Sequence, residues 1–170
     1  PMVNFFTSGD ISEITAQVNK MEALNEQRKL LSSQVYEAAI RQTEQLPSFD
    51  QDPILVLAHP EWPASVLGVA ASHIVETTGK PAILLNLGQD EIARGSARSV
   101  EGIHIKELLD EVSHLLISYG GHAMAAGLSL TSEKLVELKN TLSRRMQSLP
   151  HIHDARDLPI SSFLDLSSVS

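Results

Sequence analysis

The 170-residue sequence predicts an α/β fold, in which helices flank a mixed β-sheet and a long N-terminal connector helix precedes it. Three observations support this prediction. Residues 10–45 contain no proline or glycine and have the periodicity of an amphipathic helix. Two short apolar runs, 54–58 and 82–87, enclose a helical segment, which is the order of a parallel β-α-β unit. Residues 91–99 then read as a strand antiparallel to the second run.

The long N-terminal helix begins with a capping-box pattern formed by Asp10 and Glu13. Its apolar stripe consists of Ile14, Val18, Met21, Leu24, Leu31, Val35 and Ala38. A helix of about 35 residues would be about 50 Å long, which is more than a small domain covers. Two interpretations remain: a coiled-coil arm, or a connector helix whose first half packs on another domain.

The later helices follow from periodicity and end signals. Residues 64–78 form a helix that Gly79 and Pro81 terminate, with one face formed by Val66, Val69, Ala70, His73 and Ile74. Residues 105–113 form a helix that carries Leu108, Leu109 and Val112 inward. A strand at 127–130 precedes the last helix, which Thr131 or Ser132 caps and which buries Leu135, Leu138, Leu142 and Met146.

Composition excludes several classes of function. The absence of cysteine excludes disulfides, thiolate metal sites and cysteine nucleophiles. A net charge of −8 argues against a protein that coats nucleic acid through bulk electrostatics, although a local basic site remains compatible with it. We find neither a signal peptide nor an apolar run of about 20 residues, so we expect a cytoplasmic protein without membrane contact. Because the chain begins with Pro1, we expect it to be part of a longer protein.

The segment RGSARS, residues 94–99, is small and basic where a strand is usually large and apolar. Strand alternation places Arg94, Ser96 and Arg98 on one face. Two guanidinium groups and a hydroxyl suit contact with phosphate. The alternative is a solvated strand whose arginines pair with Glu91 or Glu101.

The segment SYGGHAMAAG, residues 118–127, concentrates small residues around one imidazole. Gly120 and Gly121 would let main-chain N–H groups face outward as an anion-binding nest, to which His122 adds a donor. The alternative is a histidine that merely flanks a helix beside a glycine turn.

Other candidate sites are weaker. The residues His151 and His153 with Asp154 imitate a metal-binding triplet, but further ligands are missing nearby. The sequence has neither a nucleophile-elbow pattern nor an aspartate cluster typical of a two-metal centre. If hydrolysis occurs, we expect the metal site to lie outside this chain.

RGSARS and GGHAMAAG, in this order and after the β-α-β unit, resemble the DHHA1 domain of RecJ-like single-stranded-DNA exonucleases in the DHH phosphoesterase superfamily. The sequence departs from the family pattern in one loop, where Pro63 follows Trp62 and Ser65 stands at an expected glycine.

The resemblance implies a substrate-binding domain that grips the phosphate backbone of single-stranded DNA, with RNA as the other candidate substrate. It assigns this contact to Arg94, Ser96, Arg98, Gly120, Gly121 and His122. It further implies a preceding DHH catalytic domain of the same chain, which holds Mn²⁺ or Mg²⁺. The fragment itself would bind no metal and would be inactive alone.

The domain organisation expected on this basis has three parts. Residues 1–48 form the connector, residues 49–150 the DHHA1-like domain, and residues 151–170 a truncated linker in which residues 158–160 could begin a strand. Two other functions stay open: an oligonucleotide or nucleotide phosphatase of the same superfamily, and a non-catalytic RNA-binding or protein-interaction module like that of alanyl-tRNA synthetases.

Overall fold

The computed structural model describes residues 11–45, 49 and 51–149. Within these residues the chain forms four α-helices and five strands, and three short 3₁₀ turns. In chain order they are α1 (Ile11–Glu44), β1 (Leu55–His59), α2 (Leu67–Thr78), β2 (Ala82–Leu87), β3 (Ile92–Arg98), α3 (Ile105–Glu111), β4 (Ser118–Gly121), β5 (Ala125–Thr131) and α4 (Leu135–Gln147). The predicted α/β class is confirmed.

The five strands form one mixed sheet in the order β1-β2-β3-β5-β4. β1 and β2 are parallel, as the β-α-β pattern predicts, and the other neighbours are antiparallel. The sequence did not predict β4. Its two glycines favour a turn, because glycine is usually unfavourable within a strand.

The strands alternate between two covered faces, so that the sheet has a separate apolar core on each side. Leu55, Leu57 and Leu84 point towards α1 and α2, which cover the side that we call the α2 face. The neighbouring residues Ile83 and Leu85 point towards α3 and α4 on the other side, which we call the α4 face. This division decides which side chains of the later strands stay accessible.

Helix α2 is buried along Leu67, Ala70, Ala71 and Ile74, a spacing that keeps one stripe of the helix on the sheet. The prediction for His73 was wrong, because this residue lies beside that stripe and is exposed. Gly79 ends α2 in the left-handed conformation, with φ of 67°. Its N–H donates to the carbonyl oxygen of Val75 at 2.8 Å. The predicted C-cap is thereby confirmed.

Helix α1 packs on the sheet only through its C-terminal part. Val35 and Ala39 are buried against α2 and β1, whereas Met21 and Leu24, which belong to the predicted stripe, are exposed. The capping box lies outside the side chains that the structure describes, as do the 151–154 triplet and the 151–170 linker.

The remaining helices agree with the predicted core, with three corrections. Leu108, Leu109 and Val112 are buried around α3, which ends at Glu111 rather than at 113. α4 buries Leu138, Leu142 and Met146, whereas the predicted Leu135 is only half-buried. The predicted cap is wrong, because neither α4 nor the 3₁₀ turn before it has a side-chain cap hydrogen bond. Among the described helices, none is both long and apolar enough to cross a membrane.

Candidate functional site

Strand β3 separates apolar from polar residues by simple alternation. Ala93 and Ala97 are fully buried on the α4 face. Arg94, Ser96 and Arg98 therefore lie on the α2 face, as predicted. α2 covers this face over β2 and reaches β3, where Gly68 lies against Arg98 and Ser96, but the part formed by β5 and β4 extends beyond it. In the part of the chain that the structure describes, that region is an open surface.

The register of the three outer strands places most of the predicted residues on or beside this open surface. Reading across β3, β5 and β4, the rows are Arg94, Ser129 and Ser118; then Ser96, Gly127 and Gly120; then Arg98 and Ala125. His122 follows β4 and lies opposite Ala125, since its N–H donates to the Ala125 carbonyl oxygen at 2.8 Å. Two arginines thus lie along one side of a small, flat floor, with the imidazole-bearing residue on the other.

Arg94 is held by a carboxylate at the start of its own strand. Its Nη1 and Nη2 donate to the two carboxylate oxygens of Asp90, at 3.1 and 2.7 Å. The hydrogen bond from Arg94 is the main reason why the pKa of Asp90 is below its usual value, and the same bond raises the pKa of Arg94. The expected alternative partners were Glu91 and Glu101, so the sequence missed Asp90. This pairing reduces the net positive charge at Arg94.

Arg98 is placed differently. It takes part in none of the ion pairs found among the described residues. Its Nη1 donates to the carbonyl oxygen of Ala97 at 2.8 Å, and the side chain is half-buried. A Cβ atom at Gly68, in the first turn of α2, would lie 2.6 Å from the Arg98 Nη2. The guanidinium group therefore occupies space that only a glycine leaves free.

The two consecutive glycines form part of a strand rather than a turn. Gly120 and Gly121 extend β4 at the edge of the sheet, and the N–H of His122 is already bonded to Ala125. The predicted nest is therefore wrong in form. An edge strand still leaves alternate N–H groups unpaired along its outer side. Since His122 faces β5 with its N–H, alternation turns the N–H of Gly121 outward.

The fold places different steric demands on Gly120 and Gly121. Gly121 has φ of 151°, and a Cβ there would overlap the carbonyl oxygen of Ala125. At Gly120 a Cβ would meet no atom within 4 Å. The fold therefore requires glycine at position 121 but not at position 120. At Gly120, the missing side chain leaves bare backbone on the open surface.

His122 is exposed, which argues against a core histidine. It follows an edge strand rather than flanking a helix, so the alternative interpretation from the sequence is not supported by its position. The imidazole stands at the end of the hairpin that joins β4 and β5, beside the row that contains Arg98.

The divergent loop after β1 is held by the burial of Trp62 and by hydrogen bonds from a residue of β2. Trp62 is buried, and its ring stacks on that of His59 with centroids 5.7 Å apart. The Nδ2 of Asn86, in β2, donates to the carbonyl oxygens of Pro60 and Trp62 at 2.9 and 2.8 Å. These contacts hold the loop although serine replaces the expected glycine at position 65.

A model of the DHHA1 domain matches residues 51–148, more than half of the chain. The chain belongs to the DHHA1 family. This DHHA1 chain is 31% identical to the single-stranded-DNA-specific exonuclease RecJ of Bacillus subtilis, in an alignment of 183 residues that covers the whole chain. It is 37% identical to RecJ of Escherichia coli over 131 residues, or 74% of the chain. The match spans 23% of each of these curated relatives.

Solved structures of RecJ share the fold of the DHHA1 chain. RecJ of Thermus thermophilus in complex with Mg²⁺ matches 86% of the chain with a TM-score of 0.75 and 28% identity, over 22% of its own length. An exonuclease RecJ bound to manganese matches 86% of the chain with a TM-score of 0.71 and 27% identity, over 36% of its own length. The family that RGSARS and GGHAMAAG predicted is thereby confirmed.

Proposed function

We propose that the chain is the substrate-binding part of a RecJ-like exonuclease that hydrolyses single-stranded DNA, and that its open surface holds the phosphate backbone. The observation that carries this proposal is the position of Arg94, Ser96, Arg98, Gly120 and His122 on or beside the uncovered part of the α2 face. Gly121 contributes through its outward N–H at the sheet edge. The relatives are named for single-stranded DNA, and their names give no support for RNA.

Electrostatics on the surface favours Arg98 as the main phosphate contact. The chain is acidic overall, with a net charge of −8, so bulk attraction for nucleic acid is absent. Arg98 has no acidic partner among the described residues, whereas Asp90 neutralises Arg94. A planar guanidinium whose position is fixed loses less entropy when it binds a phosphate. Arg98 therefore provides the positive charge, and Ser96, two residues before it, provides a hydroxyl.

The divalent ion that the RecJ structures contain has no candidate site among the described residues of this chain. The solved relatives are complexes with Mg²⁺ or Mn²⁺. Among the described residues, no group of three or more His, Asp or Glu side chains is placed to hold a metal ion. We assign the ion to a DHH catalytic domain of the same protein.

We also propose the domain organisation that this function requires. Residues 1–48 connect to the catalytic domain, residues 49–150 bind the substrate, and residues 151–170 lead to a following region. The exposed apolar side chains of Met21, Leu24 and Leu30 in α1 support a connector that packs elsewhere. A protein that processes DNA in a bacterium would work in the cytoplasm.

The first test uses the 170-residue chain and single-stranded oligonucleotides. We expect weak binding, which Arg98→Ala lowers, with a salt dependence that falls by about 0.7 in slope for the lost phosphate contact. Arg94→Ala should have a smaller effect because Asp90 already shares its charge. Arg144→Ala, an exposed arginine of α4 on the other face, is the matched control. An unchanged slope in Arg98→Ala would contradict the proposal.

The same chain should show no manganese-stimulated digestion of single strands. The reason is the lack of a carboxylate cluster for divalent ions among the described residues. Release of nucleotides from a labelled oligonucleotide measures this directly. Robust digestion by the purified chain would refute the assignment of the metal to another domain.

His122 is tested in the complete enzyme. If its imidazole donates to a substrate phosphate as charge develops, His122→Ala should lower turnover about 100-fold. The exposed position predicts a loss of stability below about 1 kcal/mol. Single-turnover kinetics and thermal unfolding measure the two quantities. A variant that unfolds much earlier but keeps its turnover would show a purely structural role.

A further inference from the structure

The open surface contains a depression at the end opposite His122. Its volume is 270 Å³, and its polar lining comes from Arg94, Ser96, Ser118 and Ser129. These residues belong to β3, β4 and β5, and Ala64 of the turn before α2 closes one side. The guanidinium of Arg94 and the hydroxyls of Ser118 and Ser129, which share one row of the sheet, form a set of hydrogen-bond donors suited to an oxyanion.

We propose that Arg94, Ser118 and Ser129 form a second phosphate subsite, which takes a phosphate of the same single strand at a distance from the phosphate that Arg98 contacts. This inference rests on the proposed function. It adds two serines that the sequence did not single out, and it assigns the two arginines to different phosphates.

The two serines retain donor capacity in the structure. Their Oγ atoms lie 2.7 Å apart, so one hydroxyl donates to the other. Each hydroxyl has a single hydrogen, and hence one of the two hydrogens stays available for a ligand. The pair lies on the floor beside Arg94, in the same row of the sheet.

Arg94 also keeps donors free while its orientation is fixed. Asp90 receives one hydrogen bond from each Nη, and Nη1 is 3.4 Å from the carbonyl oxygen of Ile92. These bonds use three of the five guanidinium hydrogens, which leaves two for a ligand. Since Asp90 offsets the charge, this subsite binds a phosphate weakly and depends on a strand that is anchored elsewhere.

The spacing of the arginines separates the two subsites. Four residues along a strand correspond to about 13 Å, and the Arg94 guanidinium is turned to Asp90 while that of Arg98 lies beside Gly68, so the two arginines are placed to contact different phosphates. The floor beside them, formed by β5 and β4, is open. A Cβ at Gly120 would meet no atom within 4 Å, and one at Gly127 would meet only the Gly95 carbonyl oxygen at 3.9 Å. An extended strand can therefore lie over β5 and β4, beside β3, and reach both arginines.

The experiment measures affinity as a function of length. The probes are fluorescent 5′-phosphorylated oligothymidylates of one and of eight nucleotides, bound to the 170-residue chain. We expect the double variant Ser118→Ala/Ser129→Ala to bind the mononucleotide as the unsubstituted chain does, and the octanucleotide about fivefold more weakly. Removing both hydroxyls together leaves neither without its partner. Arg98→Ala should weaken binding of both probes.

A matched control and a second variant complete the design. Ser113→Ala removes an exposed hydroxyl in the 3₁₀ turn after α3, whose neighbours Val112 and Leu115 belong to the core of the α4 face. It should change neither affinity. Ser118→Ala alone, at an exposed position, replaces the double variant if thermal unfolding shows that the latter is not folded.

Each outcome separates this inference from the proposed function. An equal loss for both probes, or a loss for neither, overturns the second subsite while the dependence on Arg98 upholds the first. Absence of oligonucleotide binding by the unsubstituted chain overturns both. A loss confined to the octanucleotide, with Ser113→Ala unchanged, supports the subsite.

Discussion

Replacing Gly68 by alanine tests whether the position of the Arg98 guanidinium determines binding. The new Cβ would lie 2.6 Å from the Arg98 Nη2, 3.4 Å from its Cζ and 3.6 Å from the Ser96 Oγ. Comfortable contacts between such atoms begin at about 3.5 Å, so the guanidinium has to move by about 1 Å. This movement also breaks its hydrogen bond to the Ala97 carbonyl oxygen.

The expected effect is large on binding and small on stability. Hydrogen bonds that involve a charged group contribute about 1.5–3 kcal/mol, so losing the correct geometry should weaken oligonucleotide binding by about 10-fold or more. The atom that must move is the end of a flexible side chain. Alanine is also the better helix former, by up to about 1 kcal/mol. The midpoint of thermal unfolding should therefore stay the same or rise.

The assay combines fluorescence anisotropy with thermal unfolding for Gly68→Ala, Arg98→Ala and the double variant. If Gly68 acts through Arg98, the alanine at position 68 should cause no further loss in the Arg98→Ala background. Wild-type affinity in Gly68→Ala would refute the reasoning. So would an equal loss of affinity in both backgrounds.

Two further predictions concern stability and titration. Gly95→Ala should lower the free energy of unfolding by about 3 kcal/mol or more, because its Cβ would overlap the carbonyl oxygen of Leu84. Gly120→Ala should change this free energy by less than about 0.5 kcal/mol, because its Cβ would meet no atom within 4 Å. Chemical denaturation measures both variants, and similar midpoints would contradict this prediction. The pKa of Asp110 is lowered chiefly by the hydrogen bond from Lys106, so the stabilisation by this pair exists above the ordinary carboxyl pKa and is lost as the pH falls through the lowered one. Lys106→Ala should raise the pKa of Asp110 in an NMR titration, and an unchanged pKa would show that the ammonium has no influence.

Much of the fold was predictable because hydrophobic periodicity reports burial. β2 has the predicted bounds, and the parallel β1–β2 pair follows from the β-α-β order. Alternation in β3 placed Arg94, Ser96 and Arg98 on one face. It works because Ala93 and Ala97 must face the core of the α4 face.

The features that the sequence did not predict depend on contacts between residues far apart in the chain, or on residues with a low propensity for the structure that they form. Gly120 and Gly121 form a strand because β5 offers a partner and because no side chain fits at Gly121, which propensity alone does not reveal. The contact of Gly68 with Arg98 joins residues 30 positions apart. Ser129 could have been predicted from the sequence. Its neighbours in β5, Leu128 and Leu130, are buried, so alternation turns Ser129 to the open surface.

The shape of α1 has a mechanical consequence. Its anchored part begins near Leu31, so the preceding 20 residues extend about 30 Å from the sheet as a rigid rod. A rotation of roughly 5° at the anchor displaces the far end by about 2.6 Å, since displacement grows with the length of the rod. Side chains near that anchor, such as Val35 and Ala39, therefore control the alignment of anything attached to the far end. Even a one-methylene change there would be amplified over that distance.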